Sequence, residues 1–139
     1  MPTVQKSIRI QKTTLKELEQ IAKESMKEFS VVANELLDEA VRMKKCPGII
    51  FSEGTTGRRA RIAGTGLEVW EVIATYRGVN EDFVRLLKTY HWLTEQQIMS
   101  AIGYFRAYPE GIDILILQNE RLTGEYLHKK YPFLVRGSR

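Results

Sequence analysis

Residues Val4 to Arg42 pattern as one short alternating strand followed by two amphipathic helices, a segment too small to enclose a core of its own. In Gln5-Lys6-Ser7-Ile8-Arg9-Ile10 the isoleucines fall on one face of an extended chain, and Gln5, Ser7 and Arg9 fall on the other. A strand with no neighbour within reach in the chain is expected to pair with the same strand of a second copy. An intertwined dimer of that kind presents a two-stranded ribbon. Its outward side chains are of types that hydrogen-bond to base edges in a DNA major groove.

The helical pattern supports this reading. Thr13 or Thr14 is a suitable cap for a first helix carrying Leu15, Leu18, Ile21, Ala22 and Met26 at spacings of three and four. Glu17 and Glu19 near its start complement the helix dipole. Phe29-Ser30 interrupts the stripe, and Ser30 is a natural cap for a second helix carrying Val32, Leu36, Leu37, Ala40 and Val41. Asn34 is the rival cap. Cys46-Pro47-Gly48 ends the segment, which sets the first domain at 1–46. Ile8, Ile10, Leu15, Leu18, Leu36 and Leu37 are the expected dimer core.

A second region is expected over 47–118. Glycines at 54, 57, 64 and 66 punctuate it, with a strand over Arg59 to Ile62. From Leu67 the period becomes helical, through Val69, Trp70, Val72, Ile73 and Tyr76 to Gly78. Asn80 is read as the cap of a next helix containing Phe83, Val84, Leu86, Leu87 and Tyr90. Thr94 with Gln97 forms a capping box before Ile98, Ala101, Ile102 and Phe105. Pro109 starts a fourth helix through Ile112, Leu115 and Ile116, with a strand over Ile114 to Leu117 as the alternative. Trp70, Trp92 and Phe105 are expected in the core, and His91 as a half-buried structural residue. Residues 119–139 form a basic, aromatic tail.

Charge is informative by its distribution. The chain has 139 residues and a formal net charge of +4. Residues 1–46 carry nine Lys/Arg against seven Asp/Glu, residues 47–118 seven against eight, and residues 119–139 five against two. The surplus lies at the two ends, compatible with phosphate contacts without requiring them. One cysteine, Cys46, cannot form an internal disulfide and suits a reducing cytoplasm. No run approaches the roughly 20 apolar residues of a membrane span, and no secretory leader pattern is present. His91 and His128 are the only histidines and have no ligand spacing, so no catalytic residue, metal site or cofactor is expected.

The strand–helix–helix order resembles the ribbon–helix–helix family of repressors and antitoxins, over about the first third of the chain. The resemblance implies that Gln5, Ser7 and Arg9 read bases in the major groove. It also implies that amides opening the second helix, around Ser30, Val31, Val32 and Asn34, clamp a backbone phosphate. Lys6 departs from the pattern at a usually apolar position, and the turn between the helices lacks the usual glycine.

The run Arg61-Ile62-Ala63-Gly64-Thr65-Gly66-Leu67-Glu68-Val69, with Gly78, Leu93 to Ile98, Ala101 and Tyr104, resembles a small antitoxin-associated domain. That domain pairs a strand and turn with a winged or homeodomain-like helical bundle. It accompanies PIN-like ribonuclease toxins, as in VapB-type antitoxins. Gly66 stands here where its turn usually has arginine, so no role of that arginine is carried over. The expected fold is therefore mainly α with short β. The implied function is a cytoplasmic homodimeric antitoxin that binds operator DNA and neutralises a PIN-like toxin; a stand-alone DNA-binding regulator is the alternative. In the second domain, Gln96, Gln97, Ser100 and Tyr104 are the candidates for a DNA-facing helix. Tyr126, Lys129, Tyr131 and Phe133, together with Lys130, are the candidates for toxin contact.

Overall fold

A computed structural model describes residues 2–54 and 57–130, with side chains as far as Arg121. It is mainly helical with one short two-stranded antiparallel sheet. The chain divides into two compact units, Met1–Lys44 and Lys45–Arg139.

In the first unit, residues 2–11 belong to no helix or strand. Helix α1 spans Lys12–Ser25 and α2 spans Phe29–Lys45. The α1 stripe is as the spacing predicts, but its start is earlier than either threonine. Gln11 occupies the cap position without a side-chain bond, and Thr13 and Thr14 lie inside the helix. The helix closes at Met26, whose φ of 57° puts a non-glycine residue in the left-handed region. Its amide and that of Lys27 return to carbonyls of the last turn, which satisfies acceptors the helix end leaves open. This is how the turn forms without glycine. Lys27 reaches forward to Glu35 of α2 at 3.1 Å, an exposed pair of small energetic consequence.

The second unit is built on a β-hairpin and four helices. Strand β1, Ile49–Gly54, pairs with β2, Gly57–Ile62, placing Ile49 opposite Ile62 and Phe51 opposite Ala60. Period-two alternation puts those four residues on the inner face. Ile50 with Arg61, and Ser52 with Arg59, then share the outer face. Gly48 precedes the hairpin at a φ of +93°, and a Cβ there would lie 2.7 Å from the Ser100 hydroxyl. Both conformation and space require glycine at that point.

Helix α3 runs Val69–Gly78, α4 Phe83–Thr89, α5 Glu95–Ala107 and α6 Pro109–Lys130. Val69, Val72 and Ile73 of α3, Leu86 of α4, Ile98, Ala101 and Tyr104 of α5, and Ile112 and Ile116 of α6 enclose one core over Ile49, Ala60 and Ile62. Thr94 caps α5 through the expected reciprocal box: its hydroxyl accepts from the Gln97 amide at 3.1 Å, and the Gln97 side chain accepts from the Thr94 amide at 2.8 Å. A second box joins Glu68 and Glu71 at the head of α3. Across the core, the Thr75 and Tyr90 hydroxyls lie 3.0 Å apart.

Four expectations in this unit need correction. Asp82, not Asn80, caps α4, with its carboxylate accepting from the amides of Val84 and Arg85. Asn80 and Glu81 both take left-handed φ values of 57° in the turn before it, and that turn carries the chain past Asn80 before the helix begins. Trp92 is 61% exposed, because Tyr90 takes the inward place and the indole packs edge-on against it from outside. Its neighbour His91 is also exposed, its ring edge-on to the same indole. The alternative strand over Ile114 to Leu117 is not adopted; those residues are in α6, which continues through the start of the basic tail to Lys130.

Candidate nucleic-acid interface

The polar side chains proposed as base readers, Gln5, Ser7 and Arg9, all lie exposed in the N-terminal segment. The isoleucines that alternate with them are exposed as well: Ile8 at 65%, with Ile10 less so. The rest of the first unit repeats this pattern. Leu15, Ile21, Val31, Leu37 and Val41 are exposed apolar residues, with Leu37 at 57%. Leu18 and Leu36 are half-buried. Among the described residues of this unit, only Ala22 and Val32 of the apolar ones are buried, together with the carboxyl-bearing Glu39. An apolar surface this extensive on two short helices is unusual for a free-standing unit.

The phosphate-contact set is only partly placed where a helix N-terminus could use it. Helix α2 begins at Phe29, and the Val32 amide already bonds to the Glu28 carbonyl at 3.1 Å. The amides available to an anion in the first turn are therefore those of Phe29, Ser30 and Val31. Val32 is bonded within the helix, and its side chain is buried. Asn34 is one turn further on, and its side-chain amide donates back to the Ser30 carbonyl at 2.8 Å. Neither Ser30 nor Asn34 is the cap; both lie inside the helix. Phe29-Ser30 interrupts the apolar stripe in sequence, yet Phe29 is the first residue of the helix.

In the second unit, Gln96 is exposed, while Gln97 is engaged in the capping box of α5 and Ser100 bonds the Gln96 carbonyl. Tyr104 is buried against Phe51 and Tyr108, so it cannot face a ligand. Trp70 is half-buried, its indole NH donating to Glu68. The toxin-contact candidates Tyr126, Lys129, Tyr131 and Phe133 lie outside the described side chains, as does Lys130.

A feature not singled out from the sequence is an open cleft of about 1120 Å³. Arg59 and Arg61 of β2, Glu68 and Trp70 at the head of α3, and Gln118 and Arg121 of α6 line it. The available signal was the alternation Arg59-Ala60-Arg61-Ile62, which sends both guanidinium groups to the same face of a strand. Among the described residues, no three His, Cys, Asp or Glu side chains gather as a metal site would require. Among the described residues, no helix is long and apolar enough to cross a membrane.

No family model, curated protein or solved structure is significantly similar to this chain.

Proposed function

We propose that this chain is a DNA-binding antitoxin whose first unit is completed by a second copy of itself. One observation carries the reading: Ile8, Ile10, Leu15, Ile21, Leu37 and Val41 stand exposed on a segment too small to hide them. Pairing residues 5–10 with the same residues of a second chain would cover Ile8 and Ile10 against the helices and satisfy the backbone groups of both strands. It would leave Gln5, Ser7 and Arg9 pointing outward as a ribbon. The finer fold, a ribbon–helix–helix module followed by a winged or homeodomain-like helical domain, belongs to this proposal.

The ribbon supplies sequence reading. Arginine spans two acceptors on guanine, glutamine pairs with adenine on donor and acceptor together, and serine adapts to either. Free amides at the head of α2 add a phosphate contact that positions the ribbon without specifying sequence. The second unit, with the segment beyond Arg121, is the part proposed to engage a PIN-like toxin in the cytoplasm.

Two measurements test the two halves separately. Light scattering on the full chain, followed by a gel shift on the DNA upstream of its own reading frame, tests the dimer and the operator. A monomeric chain that leaves this DNA unshifted would end the ribbon reading. Co-expression with the adjacent reading frame tests the toxin. A tight complex with a small ribonuclease supports the antitoxin, and DNA binding with no such neighbour supports the stand-alone regulator instead.

A further inference from the structure

The cleft is lined by residues of the second unit alone, and its lining is specific. The Glu68 carboxylate is held from two sides: Arg59 approaches at 3.4 Å and the Trp70 indole NH donates at 3.2 Å. Its charge is thereby balanced, and the indole is fixed in orientation. Arg61 is anchored differently. One of its terminal nitrogens donates to the Gly66 carbonyl at 3.2 Å, and its Nε is buried with no hydrogen-bond partner among the described residues. An unsatisfied buried donor costs roughly 1–3 kcal/mol, more on a charged group. Arg121, exposed on α6, adds a third guanidinium to the same lining.

We infer that this cleft binds a nucleoside monophosphate, with Arg61 and Arg121 on the phosphate and Trp70 against the base. Guanidinium groups match phosphate oxygens through paired, charge-assisted bonds. The fixed indole offers a flat face for stacking, which every base can use. Gln118 and Asn119 bring amides that both donate and accept, suited to the edge of a base. The volume exceeds what a lone inorganic ion fills and is of the order of small-molecule sites, roughly 300–1,000 Å³. All of these residues belong to the second unit, so the inference stands or falls independently of operator binding.

The test uses the full chain carrying Trp92→Phe, which leaves Trp70 as its sole indole and removes an exposed side chain outside the cleft. Titration with adenosine monophosphate is expected to quench Trp70 fluorescence. Inorganic phosphate should compete, and adenosine should bind far more weakly. Arg61→Met and Arg121→Gln should each weaken binding roughly tenfold or more. Because Arg121 is exposed, its variant keeps the test decisive even if Arg61→Met disturbs the hairpin. Equal binding of adenosine and its monophosphate overturns the proposal, as does an Arg121→Gln variant with unchanged affinity. The same holds if millimolar ligand produces no quenching. Duplex DNA that occupies the cleft through the two arginines without quenching Trp70 would also overturn it, in favour of a backbone-binding patch.

Discussion

The two units use similar apolar residues to opposite effect. In the second, Val72, Ile73, Leu86, Ile98 and Ala101 are wholly withdrawn from water, enclosed by four helices and a hairpin. In the first, leucines and isoleucines at equally regular helical spacing stay in contact with solvent. Amphipathic periodicity therefore identifies the face that is to be covered, and chain length decides whether the same chain can cover it. The second unit, within Lys45–Arg139, closes on a core of its own. A forty-residue stretch of two helices and an extended arm does not, and on the reading proposed here a second copy supplies the missing wall.

The largest expected effect belongs to the enclosed core. Ile73→Ala removes a fully buried side chain at the centre of α3, and such truncations cost about 2–5 kcal/mol. Urea unfolding of the second unit's transition should show that loss at every protein concentration. A loss that shrank as the protein was concentrated would mean that this core, too, depends on association.

Leu37→Ala probes the other side of the comparison. The leucine is largely exposed in the single chain, so its truncation costs little there. If a second copy buries it, association should weaken by about 1.5–3 kcal/mol per protomer. Sedimentation equilibrium reads this directly. An unchanged monomer–dimer equilibrium would remove Leu37 from the interface.

Arg9→Ala tests what the completed ribbon would do. Loss of a guanine contact should reduce operator affinity by about 1–3 kcal/mol and relax preference at one position of the site. The dimer itself should survive, since Arg9 alternates with the isoleucines rather than joining them. Unaltered affinity in a gel-shift titration would strike Arg9 from the readers.

These contrasts also explain what the sequence made legible. The capping box at Thr94 and Gln97 could be read directly because both halves of the signal are local. Helix α3 and its end at Gly78 followed from spacing alone. The start of α4 did not, since Asn80 and Asp82 are both good caps and the selection was made by a left-handed Asn80-Glu81 turn. Trp92 misled because aromatic area argues for burial, whereas Tyr90 and Leu93 on either side take the inward places. The arginine-lined cleft was masked by arithmetic: seven basic and eight acidic residues make 47–118 look neutral. Folding brings Arg121 of α6, counted with the basic tail, to the same cleft as Arg59 and Arg61 of β2, and a count by region separates that cluster.

Capping offers a smaller effect within the second unit. Asp82→Ala removes the acceptor for the Val84 and Arg85 amides and should cost about 1 kcal/mol. Asn80→Ala would remove no cap bond; any loss there reports the left-handed turn instead. Thermal unfolding of the two variants side by side would separate the two causes.

The smallest predicted change runs in the stabilising direction. Met26 closes α1 at a φ of 57° and a ψ of 38°, with 93% of its surface exposed. An L-residue in that conformation is disfavoured by about 1–2 kcal/mol, and almost no packing compensates it. Glycine removes this strain but adds unfolded-chain freedom of about 0.4–1 kcal/mol. The mid-values of the two terms leave Met26→Gly stabilising by roughly 0.8 kcal/mol. The gain should appear only in the first unit's transition, whose midpoint should rise with protein concentration if a second copy completes it. A fall in stability would mean that the exposed methionine is itself part of the covered surface. The turn would then have given up glycine to keep an apolar contact across the dimer.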